Sequence, residues 1–307
     1  MFGGAKRVAT RKDHAACSGC SLCLLVCPVW RRTHDPRMTP EGRAKGLQHG
    51  ATPKDLRASV ASCELCGACE PVCPEQIDLV GMTLDLRTRL ADAEAVEAVH
   101  ARMAALDPNP AVVGAGSTVL IPGPALLGKP AALTQALALL GATACSDTAG
   151  ELASALAAGI PVPPHAMHAF LDAVRPAKTI VVEDGLWLRH LRRWLPKTRL
   201  LGLGEALGSL DRVRGGLRST DLYVIEPRSY HGDYERLVKH YDRLRAERGC
   251  AFNLDLQRIA IPAATQADWI LKGRQVSRIV VERQEDAAAF LRPGFPPVVH
   301  LAELADH

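Results

Sequence analysis

One spacing of cysteines occurs twice in this 307-residue chain and leaves its first third little freedom in what it can become. The copies are Cys17-x2-Cys20-x2-Cys23-x3-Cys27-Pro28 and Cys63-x2-Cys66-x2-Cys69-x3-Cys73-Pro74. Tetrahedral iron prefers soft thiolate, and a cubane needs four such ligands. Three cysteines at two-residue gaps can wrap one cubane from a short loop and helix start. The fourth, followed by proline, points away, and in two-cluster ferredoxins it binds the other cluster. By that rule cluster A takes Cys17, Cys20, Cys23 and Cys73, and cluster B takes Cys63, Cys66, Cys69 and Cys27. The spacing therefore predicts two [4Fe–4S] clusters close enough for electron hopping. Zinc sites commonly use paired C-x2-C knuckles, and disulfides belong to oxidising compartments. The full repeat, proline included, favours clusters over both.

Charge and hydropathy narrow the setting. The formal charge is +4, and each oxidised four-thiolate cubane contributes about −2, so the loaded chain is close to neutral. Nothing here calls for nucleic acid. The segment from Met1 to Lys12 is basic but lacks the apolar stretch of a signal peptide. The most apolar stretch, Ala131–Ala144, is broken by Thr134, Gln135 and Gly141, which argues against a transmembrane segment. The expected location is cytoplasmic, with peripheral attachment at the inner face of a membrane left open.

The chain reads as an α+β multidomain protein. Between Cys27 and Cys63, the helical-looking stretch Pro53–Ser62 follows Trp30-Arg31-Arg32, Asp35-Pro36-Arg37 and Thr39-Pro40-Glu41-Gly42-Arg43. Leu79–Leu106 has apolar residues at helical spacing. Residues 1–107 are thus expected to form an all-helical two-cluster ferredoxin-like domain. Arg31, Arg32, Arg37, Arg43 and Lys45 read better as charge compensation or solvated surface than as a docking face. Asp107-Pro108-Asn109-Pro110 through Gly114-Ala115-Gly116-Ser117 reads as a linker. From 117 to 307, β-branched runs at Thr118–Ile121, Thr179–Glu183, Leu222–Ile225, Arg278–Glu282 and Pro297–Val299 alternate with helical stretches, which argues for a mainly parallel α/β domain. Ile180-Val181-Val182-Glu183 and Ile279-Val280-Val281-Glu282 recur 99 residues apart, so this domain is expected to be duplicated.

Cys-Ser-Gly-Cys-Ser-Leu-Cys at 17–23 with Cys27-Pro28, Cys63-Glu-Leu-Cys-Gly-Ala-Cys69 with Val72-Cys73-Pro74, Asp35-Pro36-Arg37 and Arg87-Thr88-Arg89 resemble the iron–sulfur subunits of heterodisulfide reductases and glycolate oxidases. The resemblance implies the helical two-cluster fold and a subunit role beside a flavoprotein or membrane-associated redox partner. In that family a duplicated domain with Cys-Cys-Gly motifs follows. This chain resembles it in length, in its two-half layout and in His300-Leu301-Ala302-Glu303-Leu304. Only Cys145 and Cys250 stand where thiols would be expected, and Pro122-Gly123-Pro124 and Glu226-Pro227-Arg228 occupy the other strand ends. Two lone cysteines cannot ligate a further multi-iron cluster, so both are read as buried thiols in a domain that keeps the fold without a metal.

Other constellations are weak. His231 with Asp233 and His240 with Asp242 sit among Glu235, Arg236, Lys239, Arg243 and Arg245 and read as a solvated helix face. His165 and His168 read as part of a proline-rich loop. No catalytic residue is nominated. The expected role is an electron-transfer subunit linking a flavin- or metal-bearing partner to a quinone-linked or disulfide-reducing one. The competing readings are a catalytic disulfide reductase and an assembly protein with structural clusters.

Overall fold

The computed structural model describes residues 11–105, 117–145 and 148–306, so the expected linker from 107 to 116 lies outside the described residues. The first stretch is built of short helices around the cysteine loops. Leu22–Leu25 and Pro28–Thr33 follow the first loop, Pro40–Gln48 and Arg57–Ser62 bridge to the second, and Leu79–Leu90 and Ala93–Ala104 close the segment. Each start has a local cause. Thr39 caps Pro40–Gln48 by accepting from Gly42 N at 3.2 Å, with proline at the first helical position. Asp78 and Asp92 cap the last two helices by accepting from Gly81 N and Ala95 N. The stretch of helical spacing over Leu79–Leu106 forms two helices, because Asp92 ends one register and caps the next. The helix expected over Pro53–Ser62 begins only at Arg57, after a run of turns.

The remainder is mixed helix and parallel sheet. Strands β1 (Thr118–Ile121), β2 (Ala142–Ala144), β3 (Thr179–Val182) and β4 (Arg199–Gly202) form one sheet in the order β2-β1-β3-β4, and every pairing is parallel. Strands β5 (Asp221–Val224), β6 (Ala251–Phe252), β7 (Arg278–Val281) and β8 (Val298–His300) form a second sheet in the order β6-β5-β7-β8, again all parallel. The two Ile-Val-Val-Glu runs fall on β3 and β7, which hold the same place in their sheets. Strand order reverses between β1 and β3 and between β5 and β7, and the carboxyl ends there are where parallel sheets open crevices.

Alternation along the strands sets the core. Leu120, Val181, Tyr223 and Val280 face one shared apolar layer between the sheets, with Leu203, Leu207, Tyr230, Tyr241 and Leu301. Val119, Ile121, Ile180 and Val182 face the other way, onto Leu152, Phe170, Val174, Trp187 and Leu191, and the same layer takes in Val99 and Met103. Leu222, Val224, Ile279 and Val281 face Ala263, Ile270 and Phe290. Each buried Leu, Val, Ile or Phe contributes roughly 1.5–3 kcal/mol, so a one-residue register slip would turn a whole stripe to the wrong layer.

The cysteine-bearing segment packs on the sheets through Leu65, Val80 and Leu186, and through Val26, Ala68 and Ile259. Ion pairs reinforce the seam: Arg31–Asp255 at 2.7 Å and Arg189–Glu70 at 3.2 Å. Glu64, at the head of the second loop, meets Arg32 at 3.3 Å and accepts from Thr265 Oγ1 at 2.7 Å. Gly159, at φ +73°, fits because it has no Cβ; one placed there would lie 2.6 Å from Thr88 N.

Candidate metal centre

Both cysteine loops are bent by the same device. In the first, Gly19 and Ser21 adopt left-handed backbone conformations, with φ of +78° and +60°. In the second, Leu65 and Gly67 stand at the same offsets with φ of +53° and +76°. A non-glycine residue in this region costs roughly 1–2 kcal/mol, and each loop bears one, Ser21 or Leu65. Two left-handed residues per loop curl the chain so that its cysteines line a hollow.

Two hollows result. One is lined by Cys17, Cys20, Cys23 and Cys73 together with Glu41, Glu75, Ile77 and Leu79. The other is lined by Cys27, Cys63, Cys66 and Cys69 together with Pro28, Arg43, Leu65 and Val80. Each takes three cysteines from one motif and the fourth from the other. Among the described residues no three His, Cys, Asp or Glu side chains converge on a point suited to a single metal ion. Three thiols from one loop with a fourth from the other are the donor set of a cubane in two-cluster ferredoxins, whereas zinc knuckles use paired C-x2-C.

Burial pushes the Cys23 thiol up to about 12, and it also raises Cys27, Cys66 and Cys69; neighbouring thiols push in the same direction. A cluster bound here would have to displace these protons to solvent, since a coordinating thiolate is deprotonated.

The walls are held by cations bonded to backbone. Lys45 Nζ donates to the carbonyl of Cys17 at 2.8 Å, joined by Gln48 Nε2 at 3.0 Å. At the equivalent cysteine of the second loop, Arg87 Nη2 donates to the carbonyl of Cys63 at 2.6 Å. Arg228 Nη2 takes the carbonyl of Glu64 at 3.1 Å, and His231 Nδ1 that of Cys66 at 2.7 Å. His231 Nε2 accepts from Ala260 N at 3.1 Å, which fixes the proton on Nδ1; burial lowers its pKa to about 4, so the ring is neutral. Arg43 is 1% exposed, lines the second hollow and donates to Ser59 O at 3.0 Å.

These positions correct several expectations. Arg43 and Lys45 belong to the cradle walls, and Arg31 pairs across the seam with Asp255; Arg32 and Arg37 stay exposed, paired within the cysteine-bearing segment to Glu64 and Asp35. His231 is buried at the helix Pro227–Gly232, not on a solvated face. His165 and His168 lie on the helix Pro164–Val174, which starts on a proline. Cys145 and Cys250 line neither hollow. Cys145 follows the carboxyl end of β2, whereas Cys250 precedes β6, and both are buried.

At the carboxyl ends of β3, β5 and β7 lies a buried carboxylate cluster that sequence reading passed over. Glu183 accepts from Gly123 N and from Gln284 N, the latter at 2.7 Å. Glu226 accepts from Ser229 N at 2.6 Å and Gly185 N at 3.2 Å. Glu282 accepts from Glu226 N at 2.8 Å and from the Tyr241 hydroxyl at 2.6 Å. Arg228 and Arg283 offset the charge through Asp184, at 2.6 Å and 3.4 Å. Burial pushes Glu282 up to about 8 and raises Glu183 as well. The available signal was the Val-Val-Glu ending of the two repeated strands.

Residues 13–77 match the model of the 4Fe-4S dicluster domain family, which covers about a fifth of the chain. No curated protein and no solved structure matches. The amino-terminal segment is thus a ferredoxin-like iron–sulfur domain, and its class points to electron transfer. No helix among the described residues is long and apolar enough to cross a membrane.

Proposed function

We propose that the chain is an electron-relay subunit holding two [4Fe–4S] clusters, A on Cys17, Cys20, Cys23 and Cys73, and B on Cys63, Cys66, Cys69 and Cys27. The observation that carries this reading is the pair of hollows, each lined by four cysteines with the fourth drawn from the other motif. When bound, each cubane supplies a one-electron store at a potential set by burial and by hydrogen bonds near the sulfurs.

The chain's own residues do the rest. Lys45, Arg87, Arg228 and His231 fix the loop carbonyls, so the thiolates need not reorganise when charge changes. Val80 and Leu65 keep water from the inner face of cradle B. Cys20 is exposed and flanked by Leu22 and Leu25, which are 42% and 55% exposed, so cradle A stands nearer the surface.

The role fits a subunit of the heterodisulfide reductase and glycolate oxidase kind, working in a reducing cytoplasmic compartment or at a membrane's inner face. Its partners are a flavin- or metal-bearing donor and a quinone-linked or disulfide-reducing acceptor. We place the cluster domain at 1–107 and a metal-free, duplicated α/β domain at 117–307. The buried carboxylates at the strand ends, where a reductase of that family would present thiols, speak against a catalytic cluster of its own.

Anaerobic purification with iron and sulfide analysis tests this reading: about eight irons per chain and two reversibly reducible paramagnetic centres are expected. Cys27→Ala should abolish the cluster B signal and leave A, whereas Cys145→Ser and Cys250→Ser should leave iron content unchanged. Loss of A with retention of B would refute the crossed assignment.

A further inference from the structure

A cleft with about 560 Å³ of water-accessible space opens between the cysteine-bearing segment and the helix Leu186–Trp194. Its floor includes Leu65, Gly67 and Val80, and these three residues also line cradle B from the other side. One layer of side chains and backbone therefore separates the cleft from the proposed cluster B. Leu186 completes an apolar base with Leu65 and Val80.

The rim is cationic. Arg11, Arg189, Arg192, Arg193 and Arg228 line it against only Glu70, Asp78 and Asp233. Glu70 is shared between Arg11 and Arg189, and Asp78 also pairs with Arg189. Arg192 pairs with Asp233 at 3.5 Å and donates to Gly232 O at 2.7 Å, and Arg228 is turned to Asp184. Arg193 is exposed and has no partner among the described residues. The cleft thus carries surplus positive charge around an apolar base, in the size range of pockets that take small molecules.

The geometry points to this cleft as the seat of a small redox-active anion, a flat apolar ring bearing a phosphate or carboxylate tail. The ring lies on Leu65, Val80 and Leu186, the tail meets the arginine rim, and electrons pass through the shared floor. The inference rests on the electron-relay reading. A two-electron carrier reduced here takes one electron from each reduced cluster, leaving both oxidised, and takes two protons from solvent at the open mouth.

The test uses the anaerobic, cluster-loaded full chain, with flavin mononucleotide as the ring-bearing probe and inorganic pyrophosphate as a ringless one. Saturable one-to-one binding of flavin mononucleotide, competed by pyrophosphate, is expected. Arg193→Glu, a surface change outside the fold's ion pairs, should weaken both probes roughly tenfold or more. Protein reduced and freed of excess reductant should bleach the bound flavin as both cluster signals disappear. Neither probe binding to protein whose clusters reduce reversibly would overturn the site and leave the relay reading intact. Binding that Arg193→Glu leaves unchanged, or that exchanges no electrons, would overturn the proposal equally.

Discussion

Glu282→Gln isolates the most consequential buried charge of the sheet region. Glu282 is 2% exposed, at the carboxyl end of β7, against the Tyr241 hydroxyl and the Glu226 amide, and burial raises its pKa to about 8. In an unfolded chain an ordinary glutamate titrates near 4.3. Between these values the folded state keeps a proton that the unfolded state has released, so stability falls as pH rises. The contribution is full below the unfolded pKa and lost once pH passes about 8. At about 1.4 kcal/mol per unit, with the slope easing as pH nears 8, the interval from pH 6 to pH 8 removes about 2 kcal/mol. Glutamine cannot ionise, so the variant escapes this loss. Denaturant unfolding of both proteins, followed by the fluorescence of Trp187 and Trp194, gives the difference at each pH, and effects of the metal centres cancel in it. The variant should gain about 2 kcal/mol on wild type between pH 6 and pH 8. A difference that stays constant over that range would refute the assignment of a buried, proton-retaining carboxylate.

Three further outcomes follow from other contacts. His231→Leu removes the donor to the Cys66 carbonyl and the acceptor for Ala260 N, so stability should drop by roughly 2–4 kcal/mol and the cluster B spectrum should broaden while A is unchanged. Equal disturbance of both spectra would contradict that link. Arg278→Met strips Asp221 of its buried partner, at 2.6 Å, and should cost roughly 3–5 kcal/mol in denaturant unfolding; restoring the match with Asp221→Leu as well should recover most of it. Gly159→Ala forces a side chain into the backbone of Thr88 and into a left-handed conformation; faster proteolysis between the cysteine-bearing segment and the sheets is the expected sign, and unchanged cleavage would argue against that seam.

What could be read from the chain depended on whether the signal was local. The cysteine spacing is a local signal, and each of the two hollows brings together four of the cysteines it groups. The β-branched runs of β1, β3, β5 and β7 mark the central strands, which are buried on both faces and apolar beyond their first residues. Strands β2, β4 and β6 escaped notice because they are short edges, rich in Ala, Leu or Arg, held by their neighbours more than by propensity. The cradle walls were illegible for a different reason. Arg43, Lys45 and His231 look like ordinary polar residues until the fold brings Ser59, Cys17 and Cys66 against them. Long-range partners leave no trace in a residue's own neighbourhood.

Cys17 opens a hollow that only Cys73 can close, and Cys27 waits in turn for Cys63, Cys66 and Cys69. A nascent chain emerging from the ribosome therefore exposes no complete four-sulfur pocket until its second loop has been synthesised. Iron delivered earlier would meet an incomplete coordination shell. Metal loading should accordingly be a late event, with neither pocket filling until the second loop has been made.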